Sequence, residues 1–212
     1  MTLLYDRAMY VRASHKPRNH DDVLEVIHEH MFATLITTSD AGLIASHLPF
    51  MIDTDRGEHG TLLAHMAAAN PQSAAIGAEG EALVTFVGPH GYISPSWYAD
   101  RATAPTWDYV AVHCYGPTRR HSAEEALRNI ERLISVVERP MTNAWSISEL
   151  TPENVQALLR NVVSFEIPIS RIEGKFKLNQ GEKPERTAAA IAQLEQRGAA
   201  ALADYMRRYN GL

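Results

Sequence analysis

The apolar positions of this chain follow two different rhythms. In DVLEVIHEHM (22–31), Val23, Val26, Ile27 and His30 or Met31 recur at helical spacing. Asp21, just ahead of them, is a residue type that caps helix N-termini. From residue 33 the rhythm becomes that of strands. ATLITT (33–38) is apolar and β-branched, SDAG (39–42) has turn chemistry, and LIASHLPFMID (43–53) reads as the return strand of a hairpin. TDRGEHG (54–60) is the next turn and TLLAHM (61–66) the next strand. Asn70-Pro71 sets a capping residue before a proline at the first helical position and predicts a short helix through about Ala78.

ALVTFVG (82–88) is again a strand. PHGYISPSWYADRATAPTW (89–107) begins with strand-like residues and turns into a loop, and DYVAVHCYGPTRR (108–120) reads as a strand covered on both faces. Ser122 with Glu125 makes a capping-box pattern for a helix over 122–138, and Thr151-Pro152 repeats the cap-plus-proline signal. VVSFEIPISRI (162–172) alternates, with Val163, Phe165, Ile167 and Ile169 on one face. GKFKLNQGEKP (174–184) reads as a loop, and an Ala-rich helix weakened at Gly198 closes the chain. Strands joined by hairpin turns, with helices mostly at the ends, predict a mainly β (α+β) fold: an antiparallel barrel with peripheral helices.

Composition narrows the function classes. The 212 residues carry 20 Lys+Arg against 25 Asp+Glu, a formal net charge of −5, which gives no electrostatic reason for tight, sequence-independent nucleic-acid binding. No apolar run reaches the length of a membrane span, and the opening MTLLYDRAMYVRASHKPRNH lacks the apolar core of a secretion signal. One cysteine, Cys114, excludes an internal disulfide framework and a Cys-rich zinc site. A reducing cytoplasm is the simplest compartment. No GxGxxG, GxxxxGK[ST] or GxSxG motif is present, and His28 and His30 sit two apart on a predicted helix, where their rings diverge, so no metal site is expected.

Three segments carry chemistry. ASHLPF (45–50) and LAHMAAANP (63–71) each hold a strand histidine, His47 and His65, and the second runs into the Asn70-Pro71 start. That start reads either as an anion site, through free N–H groups and the helix dipole, or as a capped helix with no ligand. Tyr92, Trp97, Tyr98, Trp107 and Tyr109 crowd a proline-rich stretch that either covers a flat aromatic ligand or partner, or caps the barrel end. Lys175 and Lys177 flank Phe176, placing both cations on one side of an extended chain.

In chain order, ATLIT, ASHLPF, LAHMAAANPQ, GPHGYISPSWY, PTWDYVAVHCYG, VSFEI and EGKFKLNQ resemble the PaiB-like family of FMN-binding negative transcriptional regulators. The resemblance runs from about Met9 to Leu194. It implies an antiparallel split β-barrel of the pyridoxamine-phosphate-oxidase-like superfamily, one domain over 1–212 with a C-terminal helical extension, and a homodimer with flavin in clefts between subunits. It also implies that the flavin phosphate and ribityl chain lie along Ser46, His47, Leu48 and Pro49 and along His65, Met66, Ala67 and Asn70. By inference from it, Trp107 flanks the ring system, and Lys175, Lys177 and Gln180 lie near the cleft. The chain departs from the family at Ala68, where an arginine is frequent, at Asp108, where an asparagine is common, and at Asn179 and Gly181. Three functions follow: a regulator acting by association, with direct DNA binding disfavoured by the charge; a flavin-dependent oxidoreductase of a small molecule, with His47, His65 and Trp107 the first side chains to test; or a split-barrel protein that has lost FMN.

Overall fold

The computed structural model describes residues 8–39 and 42–212. In chain order the elements are α1 (His20–Glu29), β1 (Phe32–Ser39), β2 (Gly42–Pro49), β3 (Met51–Asp53), β4 (Thr61–Ala67), β5 (Ala82–Ile93), β6 (Thr106–Gly116), β7 (Arg119–Arg120), α2 (Ala123–Glu138), α3 (Pro152–Arg160), β8 (Val162–Pro168), β9 (Arg171–Lys177), α4 (Pro184–Gln196) and α5 (Ala200–Asn210). One sheet has the order β2-β1-β5-β6-β9 and the other β3-β4-β8-β7. The chain divides into two compact units, the first built from Met1–His30, Phe86–His113 and Glu173–Leu212, the second from Met31–Thr85 and Cys114–Ile172.

In the second unit the β1–β2 hairpin is antiparallel, with Leu35 opposite Ser46 and Phe32 opposite Pro49. Residues 40 and 41 of its expected turn lie outside the described residues. The expected single strand 43–53 is two strands. At Phe50 the backbone N–H turns to donate to Met31 O at 2.8 Å, and Met51–Asp53 then pairs with β4 in the other sheet. Phe50 is fully buried and meets Phe165 edge-on at 6.2 Å. VVSFEIPISRI likewise splits at Pro168, because Ser170 N donates to Tyr115 O and β9 starts at Arg171. The capping box at Ser122 and Glu125 and the Thr151 cap form as expected.

In the first unit α1 begins two residues earlier than the pattern predicts. Its cap is Asn19, whose side chain accepts from Asp22 N, while Asp21 falls in the first turn, where an acid complements the helix dipole. The expected loop at 174–184 starts as strand, since Gly174 to Lys177 continue β9. Gly198, at φ +77, divides the C-terminal helix into α4 and α5. Val26, Phe86, Val110, Phe176, Leu194 and Met206 are among the buried side chains of this unit.

Gly116, the last residue of β6, lies against the backbone of Pro168: a Cβ there would meet that carbonyl oxygen at 2.2 Å and Ile167 Cγ2 at 2.9 Å. Gly116→Ala is therefore expected to destabilise the protein by about 2–3 kcal/mol, an overpacking effect measurable as a lower urea midpoint.

Candidate functional site

The second unit assembles a polar cluster from the hairpin and the turn after β4. Asn70 acts with both ends of its amide: Oδ1 accepts from Gln72 N at 2.9 Å and Nδ2 donates to Ser46 Oγ at 2.9 Å. Ser46 thus has an acceptor role fixed within the protein and keeps its hydroxyl proton for an outside partner. The segment Pro71–Ala75 is a single short 3-10 turn, with Gln72 N and Ser73 N both bonded to Asn70. The expected anion site of free amides is thus largely consumed by capping. Gln72 is fully buried and holds the turn on the hairpin through Leu35 O, Thr37 Oγ1 and Ile44 O at 3.0–3.3 Å.

Thr34 Oγ1 lies 3.0 Å from His47 Nδ1 across the hairpin, with the His47 ring exposed. His65 is half-buried; burial lowers its pKa, which keeps the ring neutral, and its Nδ1 has no partner. Leu48 and Met66 are buried, so their side chains serve the core and only their backbone is left for a ligand. Ala68 supplies no cation, but Arg120 reaches the same turn, donating to Ser73 O at 2.7 Å.

Sequence reasoning did not find Glu166. It lies on β8 within a buried alternating run, yet is itself buried. Arg119 Nε donates to its Oε1 at 2.7 Å and Arg56 Nη1 to its Oε2 at 2.8 Å, with His121 Nε2 3.4 Å away. Burial opposes the charge, but the hydrogen bonds from Arg119, Arg56 and His121 prevail and bring the pKa down to about 2. Arg119 and His121 stand two apart, but Arg56 and Glu166 itself come from distant segments, and no local spacing joins the four.

The first unit carries the remaining candidates on two faces of β6. Trp107 and Tyr92 are exposed, at 52% and 47%. Trp107 Nε1 donates to His90 Nδ1 at 3.2 Å, and the two rings stack with centroids 6.1 Å apart. Lys175 Nζ lies 5.4 Å from the ring centres of both Tyr10 and Tyr109, a cation over aromatic faces. Of the proline-rich aromatics, Tyr98 is buried and Trp97 half-buried, so the stretch divides between core and surface.

On the other face Asp108 is fully buried. Lys177 Nζ donates to Asp108 Oδ1 at 3.1 Å, to Trp107 O at 2.6 Å and to Thr106 Oγ1. Asp108 Oδ2 has no partner, and an unmet buried acceptor of this kind disfavours the fold by about 1–3 kcal/mol. Burial outweighs Lys177, and the Asp108 carboxyl is pushed up to about 6. Gln180 is tied to its own loop, its Oε1 accepting from Leu178 N at 2.7 Å. Within the first unit Lys177 and Gln180 are thus brought together on one cavity of about 200 Å³, whereas Lys175 and Trp107 do not line it. Within the second, Ser46 and Asn70 touch.

Two antiparallel sheets with helices at their periphery give this protein the antiparallel split β-barrel fold. The chain is similar in structure to the flavocytochrome Anf3 from Azotobacter vinelandii, with a TM-score of 0.64 and 13% identity over 87% of this chain and 80% of that one. It is also similar to the FAD and heme binding protein from Mycobacterium smegmatis, with a TM-score of 0.57 and 13% identity over 82% and 79% of the two chains. At these identities the likeness concerns the fold. In sequence, residues 9–171 match the family described as "Putative FMN-binding domain", and the chain belongs to that family. A relative, the protease synthase and sporulation protein PAI 2 of Bacillus subtilis (strain 168), is 32% identical over 88% of this chain and 89% of its own length.

Asp108 sets a pH dependence with a defined sign. Its carboxyl titrates near 6 in the folded protein against 3.8 ordinarily, so the folded state holds the proton more tightly. The stability this contributes is complete below about pH 4 and is lost as the pH rises through 6. Asp108→Asn removes that loss. Urea unfolding of the two proteins should show the variant gaining on the parent by about 2–3 kcal/mol between pH 4 and pH 7.

Proposed function

We propose that this protein binds FMN as a single split-barrel domain with a C-terminal helical extension, that it acts as a homodimer, and that it regulates by association. The observation that carries the flavin reading is the Ser46–Asn70 bond at 2.9 Å, which leaves a hydroxyl proton to donate from the hairpin. His65 Nδ1, a second polar atom with no partner of its own, fits a polar ligand as well. A flavin phosphate and ribityl chain need hydroxyl and imidazole groups of this type, and Ser46, His47, His65 and Asn70 would hold them, with Leu48, Pro49, Met66 and Ala67 contributing backbone. When bound, FMN supplies one- and two-electron chemistry, and the protein supplies position and polarity.

The exposed aromatic surface of the first unit supports the dimer. Trp107, Tyr92 and Tyr10 (72% exposed) are large aromatics left at the surface, a residue type enriched at protein interfaces. The net charge of −5 supports regulation through a bound ligand or a protein partner rather than through a direct grip on DNA. A cytoplasmic location fits the single cysteine, Cys114, whose thiol is buried and pushed up in pKa by that burial. Among the described residues, no helix is long and apolar enough to cross a membrane.

The purified protein should show flavin absorption bands. FMN at about a hundredfold excess over its dissociation constant should stabilise the protein by about 2.7 kcal/mol. Asn70→Ala should weaken FMN binding about fivefold or more, the loss of one positioned hydrogen-bonding group. A colourless protein whose melting temperature is unmoved by excess FMN would overturn the flavin reading. Light scattering should give twice the chain mass, and a monomer would overturn the dimer.

A further inference from the structure

The cavity of the first unit has a built polar anchor that the flavin reading does not use. We propose that it is a binding site for a small, uncharged, single-ring molecule carrying an N–H donor, held by Asp108 Oδ2.

The anchor comes first. Asp108 is fully buried, and Oδ2 is its one oxygen without a partner. Lys177 cannot supply the missing bond. An ammonium has three donors, and those of Lys177 go to Thr106, the Trp107 carbonyl and Asp108 Oδ1. Lys177 therefore orients the carboxylate, and the second oxygen is left for a donor from outside the protein.

Size and walls set the rest of the ligand. The cavity measures about 200 Å³, somewhat more than the roughly 150 Å³ that encloses benzene in a dry protein cavity. That admits one ring and a small substituent. Ile93 and Tyr98, at 2% and 7% exposure, give it apolar walls. Asn179, also on the wall, is the only non-glycine residue among those described with a positive φ, at +66°. Its side chain bonds Thr187 Oγ1 at 3.3 Å, which holds that backbone in place.

Charge on the wall is balanced. Arg12 and Lys177 stand with Asp108 and Glu182 on the same cavity, so a ligand needs no net charge. A carboxamide, an uncharged N–H donor, satisfies Asp108 and leaves that balance unchanged. Lys177 and Gln180, which the family resemblance places near the flavin cleft, also line this cavity, and the proposal rests on Asp108 Oδ2 rather than on those two.

Benzamide and acetophenone form the test pair, since they share one shape and differ by an NH2 against a CH3. The full-length protein, as purified, is titrated with each and followed by amide NMR. Benzamide should shift the signals of residues 93–98, 106–108 and 177–180, and acetophenone should bind on the order of tenfold more weakly or worse, because it leaves Oδ2 unmet. Asp108→Asn keeps an oxygen for Lys177 and puts an NH2 group in place of Oδ2, so the preference for benzamide should disappear. Two results with the parent protein would each overturn the proposal: no shift with either probe, or equal binding of both. A variant that keeps the preference for benzamide would overturn it as well. Loss of bound FMN colour bears only on the flavin reading and leaves these outcomes unchanged.

Discussion

A carboxylate taken out of water must be matched by donors, and this protein meets that constraint twice with opposite results. Glu166, buried on β8, receives Arg119 and Arg56 at 2.7 and 2.8 Å and has His121 beside it. Both of its oxygens are engaged, and the charge is stabilised, with a pKa of about 2. Asp108, buried on β6, receives Lys177 on one oxygen and nothing on the other, and its pKa rises to about 6. The difference is one of hydrogen-bond completeness as much as of depth. The complete site ties β7 and the 54–60 turn to β8. The incomplete one lies on a cavity.

The same accounting explains the region around Asn70. A cap, a strand serine and a buried glutamine are joined through their N–H groups, while the buried Gln72 Oε1 has no partner. Gln72 spans two carbonyls of the hairpin and a threonine hydroxyl, fixing the turn that carries Asn70. Asn70 in turn fixes Ser46. Cooperative bonding of this kind holds side chains in one orientation before any ligand arrives. It also removes the free amides that a helix start would otherwise offer, because Asn70 takes the N–H groups of Gln72 and Ser73 and Pro71 has none.

Much of the fold was legible in the chain. Caps at Ser122 and Thr151, the hairpin of 33–49 and the break at Gly198 are local events, fixed by side chains a few residues apart. The misreadings share one cause. LIASHLPFMID and VVSFEIPISRI look continuous because both halves are apolar and extended, yet each changes sheet where a backbone group finds a distant partner, Met31 O in one case and Tyr115 O in the other. GKFK has the glycine and charges of a loop, yet it forms the edge strand of a sheet.

The sequence by itself determined the family, the antiparallel strand content, the capped helices and the residue types offered to a ligand. These depend on short-range pattern, which is complete within each segment. Tertiary structure decided which polar atoms are satisfied. It consumed the Asn70 turn amides, turned Lys177 from a free cation into the holder of Asp108, and made Glu166 a buried anion among arginines. Hydrogen bonding and desolvation depend on what stands within about 3 Å in space, and for Asp108 and Glu166 those neighbours lie 69 and 47 residues away along the chain.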